Sequence, residues 1–180
     1  MTDTIEFGKR INYHPLFISF LLSFLAGGLG LIANIKLSVF LLLIVLFLLI
    51  CIYFPQNLPH LFGHWQLEKH GISYYKMNNF RDKLRMILTP HNVDYQFISY
   101  SQIKSFKVIE RDQTYSLNDI LTINPAKQSI FPWLRQPFAL ILELNGSNVS
   151  LDLSYDQLHD PHNTLFRLTN VLKVLDKKVN

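Results

Sequence analysis

Two apolar stretches decide the architecture of this chain: residues 16–33, LFISFLLSFLAGGLGLIA, and residues 37–54, LSVFLLLIVLFLLICIYF. Each stretch is 18 residues long, and an α-helix of that length spans roughly 27 Å, near the minimum for crossing a membrane. Between residues 16 and 54 the only charged side chain is Lys36. A buried hairpin in a soluble bundle would keep a polar face, but the second stretch offers only Ser38, Cys51 and Tyr53. The sequence therefore predicts a two-helix transmembrane hairpin over residues 16–54.

The distribution of basic residues predicts how this hairpin is oriented. The link at residues 34–36 is long enough only to reverse direction, so both ends emerge on one side. Lys36 is alone in the turn, whereas several basic residues flank the hairpin: Lys9, Arg10, Lys69, Lys76, Arg81, Lys83 and Arg85. Because cytoplasmic segments carry such an excess, we predict a multi-pass cell-membrane protein in which residues 1–15 and 62–180 are cytoplasmic. Pro55 and Pro59 are expected to end the second helix.

Small residues form a narrow stripe along the first apolar stretch. Ser19, Ser23 and Gly27 recur at a spacing of four residues, so one side of the helix would allow a close approach by another helix. Packing against the second helix, self-association and the lining of a pore are three uses of such a stripe. The absence of an ionisable residue in the middle of either stretch argues against an ion pathway.

Residues 62–180 carry the patterns of a mainly β domain. Residues 138–144 and 149–153 flank Asn145-Gly146, a pair that readily adopts the positive φ angles of a hairpin turn. A second hairpin is predicted over residues 65–69 and 72–77, around His70-Gly71. Further strands are predicted over residues 84–88, 96–99, 105–110 and 120–123.

A helix is predicted to close the chain. Asp160 suits the N-cap and Pro161 the first helical position, and apolar residues share one face: Leu165, Leu168, Val171, Leu172, Leu175 and Val179. About seven short strands followed by one amphipathic helix are typical of a small barrel plugged by that helix. The predicted fold is thus a membrane α-helical hairpin plus a mainly β, pleckstrin-homology-like domain closed by a C-terminal helix.

Several features together resemble bacterial membrane proteins with a pleckstrin-homology-like domain. They are the two-helix transmembrane hairpin, the tryptophan of Gly63-His64-Trp65, the turn Lys69-His70-Gly71-Ile72 and the segment FISYSQI at residues 97–103. Within that group the chain is similar to the EbsA-like family of Gram-positive bacteria, some members of which are labelled pore-forming. The resemblance implies a role in the cell envelope and supplies no catalytic residues. These helices give the pore-forming label no support.

The sequence does not predict an enzyme, a cofactor site or a metal site. It contains no glycine-rich phosphate loop, no nucleophile elbow and no Cys-His signature. His60 and His64 flank Gly63, so a regular helix is not expected there. His159 and His162 straddle Pro161 near Asp156 and Asp160, but a metal site needs two further ligands that the sequence does not locate, so neither pair is expected to hold a metal. The pattern predicts a solvated loop for the carboxylates that cluster in sequence: Glu110, Asp112 and Asp119.

Two classes of function remain. In the first, the chain is a membrane-anchored binding or scaffold module whose β domain engages a protein partner or anionic lipid headgroups. In the second, the hairpin forms an oligomeric channel or transporter subunit and the β domain is a regulatory cap. The net charge of +4 is explained by topology and anionic lipid, because no nucleic-acid motif accompanies it.

Two segments are candidate contacts for lipid or a partner. If residues 81–86 form a strand, Arg81, Lys83 and Arg85 share one side of it near the membrane. Phe131, Trp133 and Arg135 lie in a proline-bracketed loop, where they would either meet the membrane interface or cap one end of the barrel. Of these alternatives, capping of the core is the one we expect.

Overall fold

The computed structural model of the chain describes residues 5–115 and 123–179, which divide into two compact units. The hairpin unit contains residues 11–58 and 76–94. The β unit contains residues 5–10, 59–75, 95–115 and 123–179. Two segments therefore differ from the sequence-based boundaries, since residues 5–10 belong to the β unit and residues 76–94 to the hairpin unit.

The hairpin unit contains two helices that are long and apolar enough to span a membrane. The first, α1, is His14–Leu31. After a short turn, the side chain of Asn34 accepts a hydrogen bond from the Leu37 N–H at 2.8 Å and so caps the second helix. That helix runs without a break through α2 (Ile35–Phe47), a π-helical segment (Leu48–Tyr53) and α3 (Phe54–Phe62).

The prediction that Pro55 and Pro59 end the second helix is wrong, since both lie within α3. A proline ring clashes with the carbonyl four residues earlier in a regular α-helix. Here the turn before Pro55 is π-helical, and the Phe54 N–H bonds to the Leu49 carbonyl, five residues back. The wider π-helical turn relieves the clash, so the helix continues.

The small residues of α1 face inward, and some of them contact α2. Ser19 and Ser23 are buried, and the Ser38 hydroxyl of α2 donates to the Gly27 carbonyl at 2.7 Å. A Cβ atom on Gly30 would lie 2.6 Å from the Cα atom of Ser38. The two helices can approach this closely only because Gly30 has no side chain.

The β unit contains two antiparallel sheets of four strands each. The first has the order β1-β2-β3-β4 and comprises Ile5–Phe7, Trp65–Leu67, Gly71–Tyr75 and Tyr95–Ser99. The second has the order β6-β5-β7-β8, where β5 is Ile103–Glu110, β6 is Gln113–Tyr115, β7 is Phe138–Leu144 and β8 is Asn148–Asp152. Over the described ranges the sheets do not join into a closed barrel, so the predicted closure is not seen.

Both predicted hairpins are confirmed, because β2 pairs with β3 and β7 pairs with β8. Gly146 has a φ of +91° in the second turn, as the sequence predicted. The strand predicted over residues 84–88 is wrong, since Phe80–Leu88 forms a helix, α4. The weaker strand predicted over residues 120–123 lies outside the described residues apart from Ile123.

Two helices follow the sheets, α5 (Ser154–His159) and α6 (Pro161–Val179). The predicted closing helix is confirmed, and its apolar face lies in the core, where Leu168, Leu172 and Leu175 are at most 1% exposed. Trp65 and Phe138 belong to the same core. Such burial is the main source of stability for a domain in water.

The N-terminal strand β1 is attached to this core by both packing and polar contacts. The Phe7 ring stacks on Trp65 with 4.4 Å between ring centroids. The Gly8 N–H donates to the Asp156 carboxylate at 2.6 Å, and Arg167 bridges the same carboxylate and the Glu6 carbonyl at 2.9 and 2.8 Å. Residues 5–8 are therefore an integral part of the β unit.

Candidate membrane-contact surfaces

Helix α4 has an apolar face that remains exposed within the described chain. Phe80 and Leu88 are 51% and 48% exposed, and Leu84, which is half-buried, lies between them at a spacing of four residues on the same side of the helix. Met86 and Ile87 are buried instead. Because Ile87 lies within about 20° of Phe80 around the helix, the buried face reaches as far as Phe80, and the exposed apolar side chains of α4 are Phe80 and Leu88 beside it.

Cations flank the exposed face of α4, but not in the predicted arrangement. Arg81 and Arg85 are exposed one turn apart. Lys83 is roughly 200° around the helix from Arg81, and it lines a small cavity together with Cys51 and Ile52. The prediction that all three share one side is wrong, because it assumed the two-residue period of a strand.

Ion pairs in the hairpin unit involve some of these charges. Arg85 lies 3.1 Å from the Asp94 carboxylate, and both side chains are about half exposed. Lys76 lies 4.0 Å from Asp82. Exposed pairs of this kind are weak, so Arg85 can exchange Asp94 for another anion at little cost.

The second candidate surface is the aromatic loop, residues 130–135, in the β unit. Its centre is a 3₁₀ turn, Pro132–Leu134, in which Pro132 is buried. The neighbouring large side chains are exposed: Ile130 at 78%, Phe131 at 55%, Trp133 at 56% and Leu134 at 58%. The expectation that Trp133 caps the core is therefore wrong, because the turn directs Pro132 inward and leaves the aromatic rings outside.

Arg135 holds the base of the aromatic loop. Its Nε donates to the Ser129 carbonyl at 3.1 Å and its Nη1 donates to the His60 carbonyl. Its guanidinium also lies 5.9 Å from the ring centroid of Tyr155, and burial lowers the pKa of Arg135. These internal contacts make Arg135 a positioning residue, while Phe131 and Trp133 supply the outward surface.

Several of the histidines and carboxylates singled out from the sequence take part in internal contacts. His60 Nδ1 lies 3.3 Å from the Asp152 carboxylate, and His159 Nδ1 lies 2.8 Å from the Tyr155 carbonyl. The Glu110 carboxylate accepts a hydrogen bond from the Ala126 N–H at 2.6 Å. Within residues 5–115 and 123–179, no three His, Cys, Asp or Glu side chains form a group suited to a metal ion, and Asp119 lies outside these ranges.

Sequence reasoning missed the exposed apolar residues of α4. The signal was present, since Phe80, Leu84 and Leu88 follow the helical spacing, but Leu84, Met86 and Leu88 fit a strand equally well. Comparison with known proteins adds nothing to this geometry, because no family model, curated protein or solved structure matches the chain.

Proposed function

We propose that this chain is a membrane-anchored binding module of a bacterial cell envelope, with the hairpin as its anchor and the β unit as its cytoplasmic binding part. The observation that carries this proposal is that α4 exposes Phe80 and Leu88 in the same compact unit as the two apolar helices. A helix with such side chains beside a membrane anchor is suited to lie in the interface.

In this arrangement each part of α4 has a physical role. Phe80, Leu84 and Leu88 face the acyl boundary, where apolar side chains leave water. Arg81 and Arg85 sit beside that face at the level of the lipid phosphates, and each adds about 1 kcal/mol of attraction toward an anionic surface. A cytoplasmic position of both termini agrees with this arrangement, since anionic lipid is enriched in that leaflet.

The β unit is the proposed site of partner binding. Two antiparallel sheets with a C-terminal helix in the core support the proposal of a pleckstrin-homology-like domain, and the EbsA-like family remains the proposed relationship. The aromatic loop is the surface best suited to a partner, because exposed clusters of large apolar side chains commonly mark interaction sites. Trp133 and Phe131, with 5.1 Å between their ring centroids, form a compact aromatic pair for such a contact.

The role of α4 is tested by measuring its depth in a membrane. The full chain, carrying Cys51→Ser, is reconstituted into vesicles of phosphatidylglycerol and phosphatidylcholine with a spin label at position 80 or 88. We expect labels at both positions to be relaxed by oxygen more than by a water-soluble nickel complex. A label at Asn148, which is exposed in β8, is the water-facing control.

Two results would count against the proposed function. If labels at positions 80 and 88 are as accessible to nickel as the control label, α4 does not lie in the membrane interface. Ion flux through the same vesicles, absent from protein-free vesicles, would favour the channel or transporter alternative.

A further inference from the structure

Strand β4 forms one edge of the first sheet. Among the described strands it pairs only with β3, and one step beyond this pairing the Tyr100 N–H donates to the His70 carbonyl at 3.3 Å. Because every second residue of an antiparallel strand bonds to the same neighbour, residues 96 and 98 bond to β3 as residue 100 does. The backbone N–H and C=O groups of Tyr95, Phe97 and Ser99 therefore point away from β3, along the edge of the sheet.

Two of these three residues keep both backbone groups available. The Ser99 N–H donates to the Gln102 side chain at 2.9 Å, so it is already used. Within residues 5–115 and 123–179, the N–H and C=O groups of Tyr95 and Phe97 have no hydrogen-bond partner. A strand edge with unpaired groups is a template for pairing with another strand. Strand β4 thus offers two donors and two acceptors to a further strand.

Other edge strands of the β unit have their backbone groups partly covered. On β1 the Glu6 carbonyl accepts a hydrogen bond from Arg167 at 2.8 Å, and on β8 the Asp152 carbonyl accepts one from Trp65 at 3.1 Å. Charged residues and prolines, which commonly protect an edge from pairing, do not occur within Tyr95–Ser99. The edge of β4 is therefore the one best suited to accept a further strand.

The side chains of Tyr95 and Phe97 add an apolar surface beside this edge. They are 47% and 51% exposed, and because they are two residues apart in a strand, they lie on the same face of the sheet. The ring centroid of Tyr95 lies 4.9 Å from that of Tyr75. A Cβ atom on Gly71 would lie 2.7 Å from the Phe97 ring, so this ring lies against the glycine. Strand β3 thus supports both aromatic rings.

A second copy of β4 is complementary to this edge. In an antiparallel pairing that sets Tyr95 opposite Phe97 of the second copy, the two strands exchange four N–H···O=C bonds and satisfy every free group of these residues. The same register sets the aromatic rings opposite each other, an arrangement that stabilises paired strands. A two-fold pairing also sets a strand against its own sequence, and the lack of charge in Tyr95–Ser99 means that no like charges meet.

We propose that this chain forms a two-fold symmetric dimer through β4, with Tyr95 of each copy opposite Phe97 of the other. The first sheets of the two copies then become one continuous sheet. This self-complementarity favours a second copy over an extended segment of another protein. The interface uses neither α4 nor the aromatic loop, so the dimer and the proposed function can fail separately.

Cysteine cross-linking of the full chain in micelles tests the register. In the proposed pairing Gln96 lies opposite Gln96 of the second copy at a non-hydrogen-bonded position, where Cα atoms are about 4.5 Å apart and a disulfide can form. In a Cys51→Ser background, Gln96→Cys should form a disulfide-linked dimer at least about tenfold faster than Ser150→Cys, because the paired strands hold the two thiols together. Ser150 is the control, since it is exposed on the edge strand β8.

Two results of this cross-linking would count against the proposal. Dimers that form no faster with Gln96→Cys than with Ser150→Cys would overturn the pairing of β4. Dimers that form fastest with Phe97→Cys would overturn the register, because residue 97 would then lie opposite itself.

An exchange of charges tests the dimer without altering Gln96. One variant carries Tyr95→Lys with Phe97→Lys, and a second carries Tyr95→Glu with Phe97→Glu. In each variant alone like charges lie opposite each other, so self-association should weaken at least about tenfold. An equimolar mixture should restore association, because every lysine then faces a glutamate. Energy transfer between chains labelled at Lys177→Cys, an exposed position in α6, measures association in micelles, again with Cys51→Ser.

The matched control places the same charge on β8, as Asn148→Lys with Ser150→Lys, and should leave energy transfer unchanged. Energy transfer that persists in the lysine variant of β4 alone, or that the mixture does not restore, would overturn the proposal. Absence of energy transfer in the labelled chain without these charges would overturn it as well, and would leave the edge to an extended segment of another protein.

Discussion

The two units of this chain differ in whether their large apolar side chains are exposed or buried. In the hairpin unit Phe17, Phe24 and Ile32 are 67%, 65% and 84% exposed. In the β unit Trp65, Phe138 and Leu172 are at most 1% exposed. The exposed side chains of the hairpin unit are therefore suited to an apolar surrounding, whereas the β unit buries an apolar core of its own. The exposed aromatic loop departs from this pattern within the β unit and is the surface that we propose for a partner.

The largest effect should come from removing a core ring in the β unit. Phe138 is fully buried, so Phe138→Ala should lower the free energy of unfolding by about 3 to 5 kcal/mol. Phe17→Ala, at a position that is 67% exposed in α1, is the matched control and should leave unfolding of the β unit unchanged. Urea denaturation of the full chain in micelles, followed by tryptophan fluorescence, measures both. Equal losses in the two variants would contradict the contrast between the units.

A smaller effect is expected where the two helices of the hairpin touch. Gly30→Ala places a Cβ atom 2.6 Å from the Cα atom of Ser38, so the helices must separate, at a cost of about 1 to 3 kcal/mol. Gly28→Ala is the control, because no atom lies within 4 Å of its added Cβ. Hairpin stability is measured by thermal unfolding in micelles with circular dichroism. A Gly30→Ala hairpin as stable as the Gly28→Ala one would show that the close approach is not needed.

The pH dependence of the β unit should reflect His64. This side chain is buried, and burial lowers its pKa below the ordinary value of 6.5. The charges and rings around it are Glu6, Arg10, Tyr75 and Tyr95, and its Nδ1 lies 3.1 Å from the Phe7 carbonyl. Since the unfolded chain binds a proton more readily, stability should fall as the pH drops below about 6.5 and continue to fall toward the lower folded pKa.

This loss is measured as the change in the urea midpoint between pH 7.5 and pH 5.5. His64→Gln lacks a titrating group at that position and should show a smaller change. An equal change in the urea midpoint in both proteins would show that groups other than His64 cause the pH dependence.

The smallest effect on stability is expected in the aromatic loop. Trp133 is 56% exposed, so Trp133→Ala should change the free energy of unfolding by about 0.5 kcal/mol or less. Trp65→Ala, in the core at 1% exposure, provides the contrast, with an expected loss of about 3 to 5 kcal/mol. Urea denaturation followed by circular dichroism compares the two. A loss of stability in Trp133→Ala as large as that in Trp65→Ala would instead support the prediction that Trp133 caps the core.

The sequence predicted those features that depend on local patterns. The two apolar stretches can be recognised without knowing which residues they contact. Asn145-Gly146 specifies a turn by backbone preference alone. Helix α6 has its start signal and its apolar face within 19 residues. In each case the information lies within one continuous segment.

The features that were missed depend on distant residues or on an ambiguous period. Strand β1 has only three residues, and its partner β2 lies about sixty positions later. Helix α4 was misassigned because its apolar spacing fits both a helix and a strand.

The pairing of β1 with β2 sets an order of events during synthesis. Residues 5–7 leave the ribosome before the hairpin, while their partners at residues 65–67 leave after it. The strand must therefore remain unpaired until its partner emerges, and if the hairpin spans a membrane, this pairing requires both ends of the hairpin to lie on the side where the β unit folds.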